Sequence, residues 1–183
     1  LFDEAPAGDG AAAVIVTASD RAADMVARPV RIAASALATD TLALHDRRDT
    51  LWAAAAERSA KRAFEQAGVS PADINVFELH DSFTILAALA LEACGFAERG
   101  QGWQLARDGQ IGRGGRIPIS TFGGLKARGN PLGATGLYQI VEVAHQVRGT
   151  AGDCQVAGAR VGMAQNLGGM AATAVTHILR SDE

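Results

Sequence analysis

Large rings are scarce in this chain: phenylalanine, tryptophan and tyrosine supply 5% of its 183 residues, with one tyrosine among them. A core built on stacked aromatics is therefore excluded, and the abundance of alanine together with 21 glycines implies layers whose backbones approach closely. Cysteine is nearly as rare. Cys94 and Cys154 form neither a CxxC pair nor a secreted-type framework, which excludes a disulfide scaffold and a cysteine zinc site and fits a reducing, cytoplasmic setting. There is no excess of positive charge, since 17 Lys and Arg face 20 Asp and Glu for a formal net charge of −3 and a pI near 5.8. Bulk charge thus offers nothing to nucleic acid or an anionic membrane. The longest apolar helix candidate, Phe83 to Cys94, falls well short of the roughly 20 residues that span a bilayer. Where a secretory signal would need a basic start, the chain opens LFDEAPAGDGAAAVIV, with acids and a proline.

With 48% hydrophobic and 20% charged residues, the chain has the make-up of a globular protein able to bury a substantial core. Ala11 to Thr17 (AAAVIVT) reads as a buried strand after a turn-like AGDG. Ser19 is the expected N-cap of a short helix, Asp20 to Ala27, stopped by Pro29. A second strand starts at Val30 and leads to the charged connector Leu44 to Asp49. Between Leu51 and Ala67 the pairs Glu57/Arg58, Lys61/Arg62 and Glu65/Gln66 recur every fourth position, which predicts an amphipathic helix ended by Gly68. Ile74 to Leu79 is the next strand, and the helix Phe83 to Cys94 is apolar nearly all round, so it should be covered on several sides. A long connection over residues 95–115 carries a short helix near Trp103 to Arg107. A helix from about Leu137 to Val147 follows, and QVAGARVGMAQNLGGMAATAVTHIL reads as strand, glycine turn, strand. The order predicts an α/β protein with a mixed sheet covered by helices on both faces.

His80, in ELHDSF, falls at the carboxyl end of a strand, with Asp81 or Ser82 as N-cap of the next helix. In open α/β sheets that edge is where ligands bind, although a histidine there also serves as a loop anchor. GGLKARGNPLGATG has glycines at 123, 124, 129, 133 and 136, so its backbone can approach a ligand or a strand closely. It lacks the GK[ST] ending of a phosphate-binding loop, and Asn130 before Pro131 also fits an N-cap and first-turn pair. Asn166 and the glycines of AQNLGG suit a tight hairpin or a pocket edge offering an amide side chain and the Gly168 N–H. His45, His145 and His177 have no partners at usable spacing, Cys94 and Cys154 are not placed like activated nucleophiles, and Lys126 and Arg128 read as solvated.

Together these segments resemble the carboxy-terminal half of a thiolase, nearest to the sterol-carrier-protein type and to lipid-transfer-protein thiolase-like proteins. ELHDSF is similar to that group's His-Asp-Cys-Phe motif, GGLKARGNPLGATG to the Gly-His-Pro block, and QNLGG to the His-Asn-x-Gly block. DGAAAVIV resembles the last strand of the family's amino-terminal domain. The resemblance implies the five-layered αβαβα thiolase fold, with residues 1–28 as the closing strand and helix of the N-terminal half and residues 29–183 as the C-terminal domain. It implies an acyltransferase acting on coenzyme A thioesters by Claisen condensation or its reverse, with no covalently bound cofactor and no metal. The nucleophilic cysteine would lie in the N-terminal half, in the same precursor or on a separate chain. A homodimer or heteromer is expected.

By motif position, Ser82 stands where the acid/base cysteine is expected, Asn130 where the Gly-His-Pro histidine is, and Gln165 in place of the histidine of His-Asn-x-Gly. A serine hydroxyl is a weak acid and asparagine cannot exchange protons at neutral pH. The set His80, Asn130, Ser82, Asn166 and Gly168 can polarise a carbonyl, and His80 alone among them titrates near neutrality. The same departures suit retro-aldol cleavage of a β-hydroxyacyl-CoA, the chemistry of some steroid side-chain enzymes that work with an OB-fold and zinc-ribbon partner. A degenerate scaffold or binding subunit is the non-enzymatic expectation.

Overall fold

The computed structural model describes residues 2–181. Four strands form one sheet: β1 (Arg31–Thr39), β2 (Val76–Glu78), β3 (Val161–Gly168) and β4 (Thr173–Arg180), in the order β1-β4-β3-β2. β1 and β3 flank β4 antiparallel, and β2 runs parallel to β3. Beyond β2 the sheet continues in a single parallel bridge between Phe77 and Ile119, where the Phe77 N–H donates to the Pro118 carbonyl at 2.9 Å and the Ser120 N–H to the Phe77 carbonyl at 3.1 Å. RIPIS therefore adds an edge to the sheet that its sequence does not announce.

Helices cover both faces. α2 (Ala54–Ala67), following the exposed α1 (Ser19–Met25), ends at Gly68 in the left-handed conformation. Its buried stripe is Ala55, Ala56, Ser59, Ala60 and Ala63, side chains small enough to let the helix lie close on β1 and β4. Ala174 of β4 packs with Ala53, Ala55 and Ala56. α6 (Thr135–Arg148) packs on the opposite face, where Val143 and Val147 meet Ala164 of β3 and Leu179 of β4. Alternation along β3 thus sends Met163, Gln165 and Leu167 toward α2, and Ala164 and Asn166 toward α6. Gly162 permits the close α6 approach: a Cβ there would stand 2.5 Å from Val143 Cγ1.

The main core gathers Phe77, Leu79, Ile117, Met163 and Ile178 with Leu91 and Phe96. Full burial of a side chain such as Phe77 contributes about 1.5–3 kcal/mol, and its ring lies 5.3 Å from that of Phe96. Leu91 and Phe96 belong to α3 (Thr84–Ala93) and the turn after it; α4 (Gly102–Arg107) and α5 (Gly124–Arg128) are the two remaining α-helices among the described residues. No helix of the described residues is long and apolar enough to cross a membrane.

Several expectations need correction. Residues 11–17 form no strand in this chain; they run without a ladder partner and Ile15 is 93% exposed. Ser19 lies inside α1, whose cap position is Ala18 and holds no side-chain bond. Only the C-terminal end of α3 is covered, from Ala90 to Ala93, while Phe83 and Ile85 at its start are exposed.

Candidate functional site

β2 delivers the first motif. Glu78 and His80 share one side of the strand, the α6 side, because Phe77 and Leu79 point into the core on the other. Neither Asp81 nor Ser82 caps α3: Phe83 occupies the cap position without a side-chain bond. Asp81 instead reaches across to the glycine loop, accepting the Leu125 N–H at 2.9 Å.

His80 meets the third motif. Its Nδ1 lies 3.2 Å from Asn166 Nδ2, and Asn166 Nδ2 also donates to Gln139 Oε1 on α6 at 3.2 Å. Burial pushes the imidazole below the usual histidine range, opposed in part by the Asp81 charge, so His80 is neutral at neutral pH.

Asn130 enters from the glycine loop. Its Oδ1 accepts from the Leu132 N–H and from Thr135 Oγ1, both at 3.0 Å. The side chain thereby shapes the turn into α6, as the Asn-Pro pair suggests, and its Nδ2 donors stay unengaged among the described residues. No hydrogen bond engages the Ser82 hydroxyl among the described residues, and Gly168 is the exposed last residue of β3, on the same side as Asn166.

Two features escaped sequence reasoning. The first is a strap: Ala5 N–H donates to the Ser82 carbonyl at 2.8 Å and Thr84 N–H to the Asp3 carbonyl at 2.9 Å, then Asn130 N–H donates to Pro6 O at 2.7 Å and Gly8 N–H to Asn130 O at 3.2 Å. Residues 3–8 therefore cross both motifs chiefly by backbone bonds, with Thr84 Oγ1 also donating to Asp3 Oδ1 at 2.9 Å. The second is a buried polar stripe on α6, Thr135, Gln139, Glu142 and Gln146, at spacings of four, three and four that keep one helical face. Thr135 holds Asn130, Gln139 holds Asn166, and Gln146 Nε2 donates to Thr121 Oγ1 at 2.8 Å. Glu142 ion-pairs with Arg128. Arg128 is thus not solvated; its guanidinium also lies 4.9 Å from the Tyr138 ring centroid. Lys126 Nζ donates to the Phe2 carbonyl.

Glu78 is fully enclosed. Burial first, then the neighbouring Glu142 carboxylate, pushes its carboxyl well above the usual range, and it donates its proton to Glu142. Thr121 N–H donates to Glu78 Oε1 at 3.0 Å. A protonated acid beside a carboxylate paired with arginine is how three such groups can be buried together.

Other candidates lie apart. Gln165 points to the α2 face, where its Nε2 donates to Thr176 Oγ1 at 2.9 Å and Cys94 Sγ donates to its Oε1 at 3.4 Å. Burial raises the Cys94 thiol to about 12, which leaves it inert. His145 Nδ1 bonds Thr150 Oγ1 at 3.0 Å, His45 lies beside Asp46, and burial lowers His177. AQNLGG does open a hairpin, closed by residues 169–172.

A mixed sheet of this strand order, sandwiched by α2 and α6 and holding His80 against Asn166 at the carboxyl ends of β2 and β3, defines an α/β domain of the thiolase type. A family model described as thiolase C-terminal domain-like matches residues 36–181, and the chain belongs to that family. It is 48% identical over 178 residues to an acetyl-CoA acetyltransferase of Methanothermobacter thermautotrophicus, covering 97% of this chain and 46% of the relative. It is 38% identical over 176 residues to sterol carrier protein 2 of Rattus norvegicus, covering 93% and 32%. A solved structure described as an Ltp2-ChsH2(DUF35) aldolase superposes with a TM-score of 0.80 at 27% identity, covering 90% of this chain and 43% of that one. The chain spans half or less of the length of these relatives.

Proposed function

We propose that this chain supplies the polar half of a site that binds a coenzyme A thioester and makes or breaks the carbon–carbon bond beside its carbonyl. The carrying observation is His80, neutral through burial and held against Asn166. A neutral imidazole, together with the unengaged amide donors of Asn130, would suit an oxyanion that forms on the thioester oxygen, a type of contact worth about 10²–10³ in rate. Ser82 and the Gly168 N–H would line the same site.

The N-terminal half of a thiolase, in the same precursor or another chain, would complete the site, residues 1–28 belonging to it. The exposed apolar run Val14 to Val16, without a ladder partner among the described residues, supports such a neighbour, and a homodimer or heteromer is the assembly this reading expects.

A retro-aldol reaction on a β-hydroxyacyl-CoA is the second reading. Ser82 and Asn130 stand where the thiolase resemblance puts a proton-exchanging cysteine and histidine, departures that suit this reading. Retro-aldol cleavage needs a base and an enolate stabiliser but no acyl-cysteine, and a partner with an OB fold and zinc ribbon fits this reading.

The test compares acetoacetyl-CoA thiolysis with cleavage of a β-hydroxyacyl-CoA, before and after His80→Ala. A fall of about 10²-fold in kcat/KM for either substrate is expected. Unchanged turnover of both would refute the oxyanion role, and acyl-CoA binding without any turnover would leave a binding subunit.

A further inference from the structure

Gln139 belongs to none of the glycine-rich or histidine motifs, and it is 1% exposed on the sheet-facing side of α6. An apolar residue would fill that place at lower cost, since a buried amide is tolerated only when its hydrogen bonds are met. Both ends are met. Its Nε2 donates to the Gln165 backbone carbonyl at 3.0 Å, and its Oε1 accepts from Asn166 Nδ2 at 3.2 Å.

These bonds have a forced direction. A backbone carbonyl can only accept, so the Gln165 carbonyl decides which way round the Gln139 amide lies. Oε1 then faces Asn166, which must present its Nδ2. That group has two N–H bonds, and the second is directed at His80 Nδ1, 3.2 Å away. Nδ1 must accept, and the single proton of the neutral imidazole is left on Nε2.

We propose that Gln139 is a positioning residue that, acting through Asn166, fixes His80 in the Nε2–H tautomer. Its meaning for catalysis rests on the thioester reading above, because an N–H is what a developing oxyanion takes from His80. The opposite tautomer would aim a lone pair at that oxygen and repel it. Burial of the imidazole supports this, as the tautomer matters only while the ring is neutral.

The experiment is long-range proton–nitrogen correlation NMR on the full chain labelled at its four histidines, with His80 assigned by its loss in His80→Gln. In the unsubstituted protein above the His80 titration, Nε2 should carry the proton and Nδ1 should be bare. Gln139→Leu should yield a mixture of tautomers, and kcat for the active thioester should fall about 10–100-fold, the range seen when partners that orient a functional imidazole are lost, with KM little changed. Gln139→Glu, which still accepts from Asn166, should retain the Nε2–H form. Asn166→Asp should invert the tautomer, because a carboxylate can only accept. An unsubstituted protein with Nδ1–H, or a folded Gln139→Leu with the tautomer unchanged, overturns the proposal. Should Gln139→Leu fail to fold, Asn166→Asp decides, and retention of Nε2–H there overturns it. Absence of turnover with every thioester would count against the thioester reading while the NMR result still judged Gln139.

Discussion

Asp81 accepts the Leu125 N–H at 2.9 Å, and that one bond ties the end of β2 to the start of α5. Between them, Gly124 has φ of +63°, and a Cβ there would stand 2.2 Å from Asp81 Oδ2. Gly124→Ala is therefore expected to cost about 2 kcal/mol or more, from left-handed strain plus the displaced carboxylate. Asp81→Asn should cost about 1–2 kcal/mol by weakening a charge-assisted bond. Because both changes break one contact, the double variant should lose less than the sum. Urea unfolding measures all three, and an unchanged midpoint for Gly124→Ala would contradict the close approach.

Glu78 predicts an alkaline weakness. Its folded carboxyl titrates well above 4.5, whereas in the unfolded chain it ionises near that value. The folded state therefore holds a proton the unfolded state has released. Stability contributed by this group is full below about pH 4.5 and declines as pH rises toward the folded value. Glu78→Gln keeps an acceptor for Thr121 and a donor for Glu142 without a titrating proton. Stability measured from pH 5 to pH 9 should fall less steeply in the variant, and identical slopes would remove Glu78 as the cause.

The turn after β3 holds a third prediction. Gly169, Met170 and Ala171 have φ of 53°, 55° and 62°, a left-handed run that costs roughly 1–2 kcal/mol for each residue with a Cβ. Glycine relieves that strain at an entropic cost of roughly 0.5–1 kcal/mol. Met170→Gly, at an exposed position, should raise stability by about 0.5 kcal/mol, seen as a small rise in Tm, whereas Ala171 is buried in the cluster of Ala53, Leu167 and Ala174, and losing its methyl there, worth about 0.8 kcal/mol, should cancel the gain in Ala171→Gly. A fall in Tm for Met170→Gly would mean that its side chain holds the turn by packing instead. Met170 O already accepts from Arg47 Nη1 at 2.9 Å, a bond that glycine leaves intact.

Much of this fold was legible because the signals were local. The four-residue spacing of charged pairs gave α2, Gly68 marked its end, and AQNLGG marked the hairpin. What failed was decided across the chain. Asp81 looks like a cap for the helix that follows it, yet its partner Leu125 is supplied by the start of α5. Arg128 looks solvated in LKARG because Glu142 and Tyr138 come from α6. Residues 11–17 have the apolar composition of a strand, but no strand among the described residues pairs with them. The strap over Ser82 and Asn130 uses backbone groups, which every sequence has, so no residue type betrays it. Gln139 and Gln165 read alike as polar; only the alternation of β3 and the turn of α6 separate a core amide from one that reaches the site.

The polar stripe of α6 makes that helix a ruler for the whole edge. Thr135, Gln139 and Glu142 set Asn130, Asn166 and the Arg128 loop from one rigid rod, so their spacings are locked to its pitch. Inserting one residue before Gln139 would turn everything upstream of it by about 100° relative to the rest. The asparagines would then lose register with each other at once. Change at this edge is accordingly open to swaps of side chain, as at Asn130 and Ser82, and closed to changes of length.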